Sequence, residues 1–158
     1  MAERGDADAT RGIYNREVLE TTNTFDMVAR THDEQLAWLD GHTGAYAATV
    51  LEDEAGVVVG FASLSPYRSR PAYAPTVEDS VYVHHEHRGR GYGRLLLEDL
   101  LGRARGHGFH SVIARIVGGH EASIGVHARC GFEYAGTERE VGRKRSRWLD
   151  VVLMQRML

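Results

Sequence analysis

The stretch Val81-Tyr82-Val83-His84-His85-Glu86-His87-Arg88-Gly89-Arg90-Gly91-Tyr92-Gly93-Arg94, followed by Leu95-Leu96-Leu97, decides how this chain is read. Apolar, β-branched residues close a strand, three glycines at alternate positions make a turn, and leucines open a helix. Such a turn aims successive backbone N–H groups and the positive end of a helix at one point, and phosphate is the usual occupant. Gly91 and Gly93 let the backbone approach a bulky anion, while Arg88, Arg90 and Arg94 add charge. The Walker pattern GxxxxGK[ST] is absent, which disfavours nucleoside triphosphate hydrolysis. A dinucleotide-binding GxGxxG would need its third glycine where Leu96 stands. By itself the turn leaves two readings open, an anion site and a glycine-rich bend with a solvated basic rim.

Outward from this turn, helical and extended patterns alternate. Residues 7–19 carry Ile13, Val18 and Leu19 between charges and predict a short amphipathic helix. Residues 32–40 predict a second, with Thr31 as N-cap and Leu36 and Leu39 facing inward. Segments 45–51 and 57–64 flank Asp53-Glu54-Ala55-Gly56 and predict a hairpin. Pro66, Pro71 and Pro75 mark a loop before a third strand at 77–83. A helix at 91–104 buries Leu95, Leu96 and Leu100. Strand 111–117, helix 121–130 and strands 132–141 and 148–157 follow, with Gly131 where a helix end wants a left-handed residue. The class is α/β or α+β with a largely antiparallel sheet.

The chain has 158 residues, 42% of them hydrophobic and 26% charged, which suits one domain over residues 1–158 with one buried core. The net charge is −3, so no general affinity for nucleic acid or membranes follows. No apolar run approaches the roughly 18 residues of a spanning helix, and MAERGDADAT lacks a signal-peptide core, so a cytoplasmic protein is expected. The single cysteine, Cys130, excludes an internal disulfide framework and a cysteine-rich zinc site. His84, His85 and His87 have no carboxylate or cysteine at a recognised ligand spacing; they are read as the rim of the turn, and no metal is expected. Arg139, Arg143, Lys144, Arg145 and Arg147 read as a solvated hairpin loop, with contact to a phosphate or a second subunit as the next reading.

Arg88-Gly89-Arg90-Gly91-Tyr92-Gly93 resembles the (Q/R)xxGx(G/A) turn of the GNAT superfamily of acetyl-CoA-dependent N-acetyltransferases. Glu20-Thr21-Thr22, Ala72-Tyr73, Thr76-Val77-Glu78-Asp79-Ser80-Val81-Tyr82-Val83, Gly108-Phe109 and Trp148-Leu149-Asp150-Val151 are similar to the phosphinothricin and methionine sulfone/sulfoximine acetyltransferase branch. The resemblance runs from about residue 10 to the end. It implies a mixed, mainly antiparallel sheet flanked by helices, whose central strands splay to admit the pantetheine arm of acetyl-CoA. The first strand usual in the family, roughly I-R-x-A, has no counterpart before residue 7, so the sheet is expected to lack it or the start to lie upstream.

The resemblance also assigns roles. Glu78 matches the general base that takes a proton from the attacking amine. Adjacent Asp79 would point to the other strand face. Val81, Tyr82 and Val83 lie where strand backbone groups hold the pantetheine and polarise the acetyl carbonyl. Residues 88–94 (Arg88, Gly89, Arg90, Gly91, Tyr92, Gly93, Arg94) would wrap the diphosphate. His127, in a segment like H-x-x-x-G-(Y/F), would lie near the departing sulfur as an acid. His120 and Ser123 stand where the family places an Asn and a Ser against the coenzyme, and an imidazole cannot at once donate and accept as an amide does. Arg70 and Tyr73, with Thr22 and Phe25, would recognise the acceptor, Arg70 suiting a carboxylate. A homodimer acetylating the α-amine of a small amino acid or analogue is implied. Another amine (a peptide N-terminus or a polyamine), a non-catalytic acyl-CoA sensor and a nucleotide-binding module are the rival readings.

Overall fold

A computed structural model describes residues 1–158. Helix α1 spans Ala7–Glu20 and α2 spans His32–Gly41, the latter started by a reciprocal cap in which Glu34 N donates to Thr31 Oγ1 and Thr31 N to Glu34. Strands β1 (Ala48–Glu52) and β2 (Val58–Pro66) form the hairpin read from the sequence. Its turn is set by Asp53, whose carboxylate accepts the amides of Ala55 and Val57, each at 3.0 Å. Then come β3 (Thr76–Val83), α3 (Tyr92–Gly106), β4 (Ser111–Val117), α4 (Glu121–Arg129), β5 (Glu133–Lys144) and β6 (Arg147–Met157).

The six strands make one sheet in the order β1-β2-β3-β4-β6-β5, antiparallel at every pairing except the parallel β3–β4. Beside β1, Ala2 N donates to Ala48 O at 2.9 Å, and no further strand covers that edge. The α3 face of the sheet holds the larger core: Leu64, Val77, Val112, Ala114 and Met154 packed under Leu96, Leu97, Leu100 and Leu101. The other face packs Phe61 against Ile13, Tyr14 and Val18 of α1.

The inward stripe of α3 differs from the expected one. Leu95 is 52% exposed, and Leu97 and Leu101 take inner places beside Leu96 and Leu100. Positions i, i+1, i+4 and i+5 span the broad arc that a helix lying flat on a sheet buries, whereas Leu95 lies outside it. Each buried leucine contributes about 1.5–3 kcal/mol relative to leaving it exposed. In α2, Leu36 is only half-buried, and the fully buried neighbour is Gln35, whose amide donates to the Thr10 hydroxyl at 3.1 Å. That bond satisfies a polar group no periodicity rule would place inside.

The basic segment 139–147 is the larger correction. Instead of ending at 141, β5 continues through an irregularity between Glu138 and Gly142 to Lys144. Arg145 and Ser146 then form a two-residue hairpin with φ of 50° and 60°. Lys144 is buried and its Nζ donates to Thr24 O at 2.8 Å, while an Arg145 N–H donates to Leu19 O. Lys144 and Arg145 thus tie the hairpin end to Thr24 and to Leu19 of α1, while Arg139, Arg143, Arg145 and Arg147 stay exposed, as expected of a solvated hairpin loop. Glycine and asparagine are the usual residues of so tight a turn, and their absence hid it.

Candidate active site

The splay expected between the central strands is present. β3 and β4 pair over four positions, from Thr76–Ser111 to Asp79–Ala114. Both strands continue, to Val83 and Val117, without further pairing to each other. His84 N donates to Val59 O at 2.8 Å, which sets the phase of β3: even residues exchange bonds with β2, and odd residues turn their main chain toward β4. Beyond Asp79 there is no β4 partner, so the main chain of Val81 and Val83 faces an open gap. Tyr82 turns the other way, its ring stacked on Phe61 and edge-on to Tyr14.

At the end of this gap the chain turns through Gly89 (φ 77°) and Gly91 (φ 83°), the latter being the N-cap of α3. Both angles are left-handed, which is why glycine is needed at these two places. The main-chain N–H groups of Gly89, Gly91, Tyr92 and Gly93 donate to no other group of the protein. Four bare amides at the positive end of a 15-residue helix form a cradle for an anion with several acceptor oxygens, as a diphosphate has. Arg88 does not point into this cradle. It donates to Glu17 through Nη2 and to Val83 O through Nε (3.3 Å), tying the turn to α1. Arg94 pairs with Glu98 at 2.7 Å, and Arg90 lies on the exposed rim.

Glu78 and Asp79 point to opposite faces of β3, as expected. The Glu78 carboxylate is half-buried and makes no hydrogen bond within the protein. Burial pushes it above the usual carboxylate value, Asp79 and Glu138 push the same way, and Arg115 opposes them. Arg115, itself paired with Glu138 at 2.8 Å, was not singled out from the sequence. The available signal was its position on β4, exposed between buried Ala114 and Ile116.

Asp79 is buried and accepts from His127 Nε2 at 2.9 Å, while His127 Nδ1 lies 2.8 Å from Ser123 O. Both ring nitrogens thus face acceptors, an arrangement that favours the doubly protonated ring. Burial would lower its pKa, but the bond and charge of Asp79 outweigh burial and raise it. The residue is 4% exposed and both its ring nitrogens are engaged within the protein. It pins α4 to β3 at Asp79, the last residue of β3 before the strands part. Ser123 Oγ lies 3.4 Å from the same ring. His120 is the N-cap of α4 without a side-chain cap bond; burial first, then Arg88, lowers its pKa.

Arg70 and Tyr73 lie in the loop that leads into β3, eight and five residues before Glu78. There Arg68, not singled out earlier, stacks over Tyr67 and Tyr73 at 4.9 and 5.4 Å. Arg68, Ser69, Arg70 and Tyr73 line a concavity of about 520 Å³. Thr22 and Phe25 lie in the connection between α1 and α2, where Phe25 covers Gly142 of β5 closely enough that any side chain there would collide with its ring. That connection crosses the face of the sheet on which Tyr82 and Glu78 lie, since Tyr14, bonded to Asp26, packs on Tyr82. No group of three His, Cys, Asp or Glu converges as a metal-holding cluster, and no helix is long and apolar enough to cross a membrane.

A strand pair that opens beside bare helix-end amides defines a protein able to lay a phosphorylated ligand along a strand edge. The model of the acetyltransferase (GNAT) family matches residues 11–132. The chain is 43% identical over 149 residues to phosphinothricin N-acetyltransferase of Streptomyces coelicolor, covering 92% of this chain and 87% of that protein. It is 42% identical over 144 residues to the L-methionine sulfoximine/L-methionine sulfone acetyltransferase of Pseudomonas paraeruginosa, covering 90% and 84%. The crystal structure of a phosphinothricin acetyltransferase from Sinorhizobium meliloti in complex with AcCoA matches with a TM-score of 0.96 at 39% identity, covering 99% of this chain and 85% of that one. The chain belongs to the GNAT family and is an N-acetyltransferase.

Proposed function

We propose that this protein transfers the acetyl group of acetyl-CoA to the α-amine of a small amino acid or analogue, of the phosphinothricin or methionine sulfoximine/sulfone type. The observation that carries the reading is the set of bare amides at Gly89, Gly91, Tyr92 and Gly93, opening on a gap bordered by the strand that bears Glu78. The relatives and the AcCoA-bound neighbour support the same choice of donor and acceptor.

In this reading the Gly89–Gly93 turn holds the diphosphate and the main chain of Val81 and Val83 holds the pantetheine arm. Acetyl-CoA supplies an activated acetyl thioester. A main-chain N–H of the gap donates to the carbonyl oxygen, where charge develops as the amine attacks and is lost as the carbon–sulfur bond breaks and coenzyme A leaves as its thiolate. Glu78 accepts the amine's proton, directly or through water, and its raised pKa makes it a stronger base than an ordinary carboxylate. Arg68 and Arg70 present guanidinium groups suited to the acceptor's carboxylate. A polyamine would need acids where this loop holds arginines. His127 and Asp79 hold α4 against β3, and the nearby Ser123 and His120 face the coenzyme from that helix. A homodimer is part of the proposal, supported by the exposed Tyr134, Val141, Trp148 and Met157 of the β5–β6 hairpin.

Calorimetry with acetyl-CoA and a thiol-release assay over a panel of amines test this. We expect heat of binding, and turnover on amino acids that disappears when their carboxylate is esterified. Absence of coenzyme uptake overturns the reading, and equal turnover on polyamines overturns the acceptor class.

A further inference from the structure

We propose that Glu17 is a positioning residue that couples the coenzyme turn to the acceptor segment, each of its carboxylate oxygens holding one of them. This rests on the reading that residues 89–93 hold the coenzyme and that the α1–α2 connection borders the acceptor. Glu17 lies in the last turn of α1 and is 4% exposed. Its Oε1 accepts from Arg88, the first residue of the glycine turn. Its Oε2 accepts from Asn23 Nδ2 at 2.7 Å and lies 3.2 Å from the Thr21 hydroxyl. Thr21 Oγ1 in turn accepts from Asn23 N at 3.0 Å, so the start of the connection is folded around this one carboxylate. On the far side, Arg88 Nε reaches Val83 O at 3.3 Å, the end of the strand that lines the gap.

A buried carboxylate is costly unless its lone pairs are used, and here they are divided between two parts of the site. A chain of contacts therefore runs from Val83 through Arg88 and Glu17 to Asn23, with no solvent-exposed link except the guanidinium. Movement of the turn on taking up a diphosphate is carried to the acceptor segment through Glu17, and the reverse holds by linkage. The surface pairs Arg94–Glu98 and Arg103–Asp99, by contrast, each join neighbours on one helix.

The test keeps Glu17 and cuts its two arms; because a buried carboxylate left without its cation destabilises, Tm and circular dichroism check that each variant is folded, and Arg88→Lys stands in for Arg88→Ala if the latter is not. Arg88→Ala, Asn23→Ala and the double variant are compared for acetyl-CoA Kd by calorimetry and for amine KM at saturating acetyl-CoA. Each single change is expected to move the other side's constant: Asn23→Ala weakens acetyl-CoA about fivefold, and Arg88→Ala raises amine KM about tenfold. The double variant is expected to be little worse than the poorer single one, because both arms act through one group. If each variant moves only its own side's constant, or if the two effects multiply, the coupling is overturned while the functional reading stands. A wild-type protein that takes up no acetyl-CoA overturns that reading and this proposal with it.

Discussion

The two sides of β3 are built on opposite plans. Toward the gap, the proposed coenzyme site is main chain: four amides with no partner in the protein and a strand edge without a neighbour. Toward α1 and α2, the proposed acceptor site is side chain, with Glu78 from β3, Arg115 from β4 and Glu138 from β5. The first plan needs only backbone conformation, so glycine spacing is its signature. The second needs three separate strands at one place, and its electrostatics belong to none of them alone. Glu78 shows this directly, since burial and two acids raise its pKa while Arg115 holds it back.

The sharpest way to separate the two sides is Glu78→Gln. We expect kcat to fall by about 10²–10⁴-fold, with acetyl-CoA affinity within about twofold of wild type, measured by steady-state kinetics and calorimetry. Unchanged turnover removes Glu78 as the base.

Two glycine variants probe the contrast next. Gly91→Ala forces a side chain into a left-handed φ of 83° at a cost of about 1–2 kcal/mol, so acetyl-CoA binding should weaken about tenfold. Gly142→Ala should leave that affinity intact and raise amine KM, because its methyl displaces the Phe25 ring. The opposite pattern of losses breaks the division.

The pH profile gives a smaller, signed effect. Glu78 works deprotonated, so the acid limb of kcat/KM should lie above its ordinary value of 4.5. Arg115→Ala removes the cation that lowers it, and the limb should move to higher pH; a downward move contradicts the assignment.

The smallest effect belongs to the Asp79–His127 pair. A histidine with a raised folded pKa adds stability that is full below its unfolded value, near 6.5, and fades as the pH rises through the folded value. The wild-type Tm should therefore fall across that window, and His127→Gln should flatten the slope. A slope unchanged in the variant assigns the effect to other groups.

Much of the fold is legible because its signals are local. Thr31 and Glu34 three residues apart start α2, Asp53 and Gly56 turn the first hairpin, and apolar, β-branched runs mark β2, β3 and β4. Leu95 was misread because three consecutive leucines satisfy more than one helical stripe, and only the sheet beneath chooses among them. A hairpin loop is legible in the basic segment, but its turn is not placed at Arg145–Ser146 because those residues are atypical; contacts of Lys144 with Thr24 and of Arg145 with Leu19, more than 100 positions away in sequence, hold it.

The candidate site divides along the same line. Glycines at 89, 91 and 93 and the alternation of Glu78 and Asp79 across a strand follow from backbone geometry, and sequence alone determined them. The engagement of both His127 nitrogens, the turning of Arg88 toward Glu17 and the meeting of Arg115 with Glu138 were decided by tertiary structure. Each depends on where a second segment lies in space, and burial alone makes those pairings strong enough to direct the side chains. Backbone conformation is written residue by residue, whereas the partner of a charge is set by packing.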